Sequence, residues 1–180
     1  FVVNGHSYID LNKNNSMDVY ENGNANIEDR LDDLIDQMSL EEKAGTMFIT
    51  MTGIRANGDP YNNPYFPKSG IDMMINMYIP TTSDMVAKRL MNSFNIINSY
   101  DAELMARYNN NIQKMAERTR LGIPVTIATD PRHGTENNPG AAIFTSAFSQ
   151  WPTSLGLAAS RDTLLVREFG DIARQEYRST

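Results

Sequence analysis

Two places in the sequence bring together residue types that do chemistry. At the end of the apolar run "IPVTIAT" stands Asp130, followed by Pro131 and the basic pair Arg132 and His133. A carboxylate buried at the end of a strand must be satisfied by backbone donors, by a neighbouring cation or by a ligand. Two readings of Asp130 stay open at this level: a turn-forming aspartate before proline, paired with Arg132, or a ligand-binding group. The second place is "DLNKNNSMDVYE", residues 10–21, which has the spacing of an EF-hand loop. Asp10, Asn12 and Asn14 take its first, third and fifth positions, and the Ser16 carbonyl takes the seventh. Asp18 takes the ninth, and Glu21 stands at the last, where a carboxylate can bind in bidentate fashion. Hard oxygen ligands in this number suit Ca2+ better than Mg2+. Asn15 replaces the expected glycine, but asparagine tolerates the left-handed backbone better than most residues. The expectation is a structural Ca2+ that pins residues 1–26 to the remainder of the chain. The alternative is a solvated, asparagine-rich leader.

The rest of the composition narrows the field. With 180 residues, 41% hydrophobic and 21% charged, the chain can bury a core. A net charge of −6 argues against nonspecific contact with nucleic acid or anionic membrane. No apolar run approaches the roughly 20 residues of a membrane span, and no leader peptide is visible at the start. Zero cysteines exclude thiolate metal sites and cysteine nucleophiles, and two histidines, His6 and His133, argue against a multi-histidine zinc site.

Elements that would position these groups can be read from periodicity. Ile27, Leu31, Leu34, Ile35 and Met38 recur at helical spacing, and Ser39 with Glu42 forms a capping-box pattern. Residues 46–52 are β-prone, residues 53–70 read as a long loop, and 71–80 as an apolar segment ended by proline. Met85, Leu90, Met91, Phe94 and Ile97 fit one helical face, and Leu104, Met105, Tyr108, Ile112 and Met115 fit another. Gly122 and Pro124 stop the helix before the Asp130 strand. After a second loop, Ser160 is expected to cap a last helix with Leu164, Leu165, Phe169, Ile172 and Ala173 inward. Trp151 reads as a core anchor, with stacking on a sugar ring as the other option. Tyr61, Tyr65 and Phe66 are candidates for an outer subsite. Strand, loop, helix, repeated, is the pattern of parallel β/α units, whose ligands gather at the carboxyl ends of the strands.

Three stretches extend this pattern: "RLGIPVTIATDPRHGT", "FSQWPTSLGLAASRDTLLVREFGDIARQEYRST" and "IEDRLDDLIDQMSLEEKAGTM". Together they resemble the N-terminal half-barrel of glycoside hydrolase family 3, over roughly residues 27–180. The resemblance implies an α/β fold, the first part of a (β/α)8 TIM-type barrel left incomplete, over residues 27–180; residues 1–26, polar and asparagine-rich, read as an N-terminal leader before it. It implies that Asp130 binds sugar hydroxyls, usually those at positions 4 and 6, in the −1 subsite. A carboxylate holding two hydroxyls is oriented, and a sugar lacking them would leave it unpaired. His133 and Gly134 match the same motif and read as shaping the turn behind Asp130; Arg178 matches the helix-end arginine and reads as structural.

The family's nucleophile, acid/base and remaining sugar ligands lie in later segments that do not occur here. The resemblance therefore implies a retaining exo-acting β-glycosidase, a β-glucosidase first and a β-xylosidase second, working by double displacement with no catalytic cofactor. Its partners would be a β-linked glycoside or oligosaccharide and the rest of the same enzyme, in a periplasmic or extracellular location. The isolated segment would be inactive. A calcium-binding interaction module without catalysis, centred on residues 10–21, and a non-hydrolytic sugar-binding barrel remain as alternatives.

Overall fold

The computed structural model describes residues 2–3, 5–62, 80–96, 100–130, 133–134 and 148–179. Expectations for Tyr65, Phe66, the 71–79 segment, Ile97, Arg132 and most of the second loop fall outside these residues. Two short strands open the chain, β1 (Val2–Val3) and β2 (His6–Ser7), paired antiparallel. The polar stretch after them is docked rather than trailing. Lys13 Nζ donates to the carbonyls of Glu117 at 2.7 Å and Thr119 at 2.6 Å. The buried Tyr20 donates its hydroxyl to the Leu121 carbonyl. Gly122 takes a φ of +59°, and a Cβ there would press on Leu11.

Helix α1 (Ile27–Gln37) begins where the Asn26 side chain accepts the Glu28 N–H. Its apolar stripe is only half covered: Ile27, Leu31 and Ile35 are exposed, and the helix buries no residue. Helix α2 (Leu40–Thr46) carries the expected capping box in both directions, Ser39 N to Glu42 Oε2 and Glu42 N to Ser39 Oγ. Glu42 also receives the Arg120 guanidinium, which donates as well to the Gln37 carbonyl. Burial opposes charge on Glu42, but the Arg120 and Ser39 donors outweigh it and hold its carboxyl below the usual range.

The β-prone stretch 46–52 divides: Thr46 closes α2, and only Thr50–Thr52 form strand β3. Helix α3 (Thr82–Ala87) is capped by Thr81, and β4 (Ser93–Ile96) comes next. This corrects the expected helical face running from Met85 to Phe94. Leu90 takes a φ of +56°, which ends the helix, and beyond it alternation sets in, with Phe94 and Ile96 buried and Ser93 and Asn95 half-buried. Gly45 permits the fit, because a Cβ there would stand 2.3 Å from the Leu90 carbonyl oxygen. Helix α4 (Ala102–Ala116), capped by Asp101, and β5 (Thr126–Thr129) complete the described sheet.

The three strands are parallel in the order β3-β4-β5, with Thr52 opposite Ile96, and Phe94 opposite Ile127. A parallel pair needs a crossover, and α4 supplies it between β4 and β5. Ile54, Met85, Val86, Phe94, Ile96, Tyr108, Ile112, Ala116 and Val125 form the core between this sheet and α3 and α4, and Ile127 packs against it. Burial pushes the Tyr108 phenol up to about 12. Helix α5 (Ser154–Ala159) is capped by Thr153, and α6 (Thr163–Ser179) comes last. The cap of α6 is Asp162, not Ser160: Asp162 Oδ1 accepts the N–H groups of Leu164 and Leu165, while Ser160 Oγ donates to the Leu157 carbonyl. Leu164, expected inward, is 76% exposed.

Candidate functional site

Asp130 comes directly after β5, at the carboxyl end of the parallel sheet, where open α/β folds place their ligands. It is exposed rather than buried, so its charge needs no internal partner. The strand alternation accounts for this. Ile127 leans on the core and Thr129 reaches α6, and the intervening parity of Ala128 and Asp130 belongs to the other face of the sheet. Asn95 of β4 is level with Ala128 on that face.

Behind Asp130, the His133 imidazole is 1% exposed. It stacks on Phe148 with centroids 4.7 Å apart and an interplanar angle of 4°. Phe169 and Tyr177 of α6 meet it edge-on. Its Nε2 lies 2.8 Å from Glu176 Oε2. Glu176 also accepts the Ser149 N–H at 3.1 Å and the Ser149 hydroxyl at 3.0 Å. The Trp151 N–H donates to the His133 carbonyl at 2.7 Å, its Nε1 to Ser149 Oγ at 2.8 Å, and its ring packs on Phe169. Trp151 is thus an internal anchor, in keeping with the core reading. Gly134 bridges to Trp151, while the turn that joins Asp130 to His133 lies outside the described residues. Sequence reasoning missed Glu176 and Tyr177. Their helical spacing marks them only as α6 residues, and their partners lie more than 25 positions away. Tyr61, the one described member of the aromatic loop group, is half-buried and packs where a Cβ on Gly53 would stand.

At the other candidate, the loop 10–21 is closed on itself by side-chain hydrogen bonds. Asp10 accepts the N–H groups of Asn14 and Asn15. Asn14 Oδ1 accepts the Ser16 N–H. Asn15 takes a φ of +65°, the left-handed turn that its side chain was expected to tolerate, and Lys13 takes +61°. Asp18 Oδ2 accepts from the amides of Asn12 and Asn14, and the buried Glu21 accepts the N–H groups of Leu11 and Asp18. Among the described residues no three carboxylate or imidazole groups converge as metal ligands. The carboxylates of Asp10, Asp18 and Glu21 are occupied here by amide and backbone donors.

The geometry can be set beside known proteins. The chain is 38% identical over 180 residues to the Probable beta-glucosidase C of Aspergillus flavus, covering 98% of this chain and 26% of that protein. It is 39% identical over 169 residues to the Beta-glucosidase C of Emericella nidulans, covering 93% of this chain and 25% of that protein. Over nearly all its residues the chain is similar to β-glucosidases. The same holds against the Periplasmic beta-glucosidase/beta-xylosidase of Dickeya chrysanthemi, 38% identical over 182 residues, 98% of this chain and 25% of that protein. The chain spans about a quarter of the length of the curated relatives it matches. No protein-family model matches it. Its likeness to these glycosidases agrees with the resemblance to glycoside hydrolase family 3 read from its motifs. Among the described residues no helix is long and apolar enough to cross a membrane.

Proposed function

We propose that this chain is the front part of the barrel domain of a retaining, exo-acting β-glucosidase, and that it contributes a sugar-binding aspartate, Asp130, to the −1 subsite. The observation that carries the reading is an exposed carboxylate at the carboxyl edge of a parallel sheet, in a chain that matches β-glucosidases along nearly all its residues. The α/β/α succession and the three parallel strands suit part of a (β/α)8 barrel. Exposed apolar residues suit it too: Leu40, Met47, Phe48, Ile49 and Leu155 are each more than 60% exposed, surface that further polypeptide would cover. The nucleophile and the acid/base would come from that further polypeptide, two carboxyl groups about 5–5.5 Å apart. The name of the Dickeya relative favours a periplasmic or extracellular setting and keeps β-xylosides in view as substrates. Assayed on an aryl β-glucoside, the 180-residue chain alone should show no turnover above the uncatalysed rate, and the complete polypeptide should show it. Hydrolysis by the chain alone would contradict this division of labour.

We further propose that residues 10–21 bind a structural Ca2+, with Asp10, Asn12, Asn14, the Ser16 carbonyl, Asp18 and Glu21 as its oxygen ligands. The left-handed turns at Lys13 and Asn15 and the docking of Lys13 onto the α4–β5 connection support the reading. The ion would hold the N-terminal leader, residues 1–26, against the barrel segment, residues 27–180. Calcium at about 100 times its dissociation constant should raise stability by about 2.7 kcal/mol. Titration calorimetry on the protein and on its Asp10→Ala variant checks this; equal heats in both would remove the ion.

A further inference from the structure

We propose that Glu176 and Tyr177, neighbours near the end of α6, are positioning residues that fix the direction of Asp130 from both sides. The inference rests on the reading of Asp130 as a sugar ligand. Asp130 is exposed, so the aim of its carboxylate depends on where the backbone arrives and leaves. On the arriving side, the Thr129 hydroxyl lies 2.6 Å from the Tyr177 hydroxyl. On the leaving side, His133 Nε2 comes within 2.8 Å of Glu176 Oε2, a close contact outside hydrogen-bond geometry, and its ring is packed face-on by Phe148 and edge-on by Phe169 and Tyr177. Glu176 is itself fixed by the N–H and hydroxyl of Ser149.

Both anchors therefore stand on adjacent residues of one 17-residue helix and cannot shift independently. Ring packing and paired acceptors lock the rotamers, which is what a precise site requires of its supporting shell. A displacement of about 1 Å at a substrate-binding group can cost on the order of 10²-fold in rate. Arg178, by contrast, is exposed and lies outside this bracket.

The test is a double-mutant cycle in the complete enzyme, read as kcat/KM on an aryl β-glucoside, with the melting temperature of every variant measured. Tyr177→Phe removes only a hydroxyl, and Glu176→Gln keeps shape and one acceptor, so neither should unfold the protein. Each should lower kcat/KM by about 10- to 100-fold. In an Asp130→Ala background each should change it by less than about 2-fold, because the group they aim is gone. Losses of equal size in both backgrounds would show a general structural role and overturn the inference, as would no loss in either. If Asp130→Ala alone leaves kcat/KM unchanged, the sugar-ligand reading itself fails, a result distinct from additivity, and the inference falls with it.

Discussion

Replacing Asp130 with alanine in the complete enzyme is expected to lower kcat/KM on a β-glucoside by about 10²- to 10⁴-fold. The size follows from the chemistry. Two hydrogen bonds from sugar hydroxyls to a charged carboxylate are worth about 1.5–3 kcal/mol each, and roughly every 1.4 kcal/mol is a factor of ten. Their loss should appear in both KM and kcat, since binding away from the reacting centre also holds the sugar for attack. The covalent glycosyl-enzyme should still form from a substrate with an activated leaving group, because the nucleophile is a different residue. Mass spectrometry of the trapped intermediate separates the two roles. An Asp130→Ala enzyme that forms none at saturating activated substrate would make Asp130 a participant in the chemistry rather than a clamp.

Phe94→Ala should destabilise the fold by about 3–5 kcal/mol, the range for deleting a fully buried aromatic ring. Phe94 is 0% exposed and stands on the central strand of the described sheet, among Ile54, Met85, Tyr108 and Ile112. Strand β4 lies between β3 and β5 in the parallel order, so the cavity would have little freedom to collapse without moving β5 and with it Asp130. The denaturation midpoint should fall while the dependence on denaturant stays the same. At temperatures where the variant remains folded, kcat/KM should change far less than for Asp130→Ala. A Phe94→Ala protein as stable as the parent would mean that the sheet and α3–α4 do not pack as described.

The range of an interaction decided whether the sequence disclosed it or hid it. The Ser39 and Glu42 box was legible because both partners sit within four residues of each other. Helix α4 was legible because Tyr108 and Ile112 recur on one buried face, and β5 because its apolar run ends sharply at Asp130. The break at Leu90 was not. A leucine in the left-handed region has no local signal, and Met85, Leu90, Met91 and Phe94 happen to fit a helical face although a helix and a strand share them. Ser160 looked like the cap of α6 because serine caps well, yet its hydroxyl takes only the Asp162 N–H, and Asp162, two residues on, takes those of Leu164 and Leu165. Glu176 and Tyr177 were hidden for another reason. Their contacts with His133 and Thr129 join residues more than 40 positions apart, and only the fold brings those together.

One ratio tests the central claim most directly. It is kcat/KM for an aryl β-glucoside divided by kcat/KM for the matching β-xyloside, which lacks the hydroxymethyl group, measured on the complete enzyme and on its Asp130→Ala variant. If Asp130 holds that group, the parent should favour the glucoside by about 10-fold or more, the worth of one charge-assisted hydrogen bond. The variant should lose most of that preference. A ratio that Asp130→Ala leaves unchanged, with both substrates slowed alike or not at all, would contradict the assignment of Asp130 as the residue that holds the sugar.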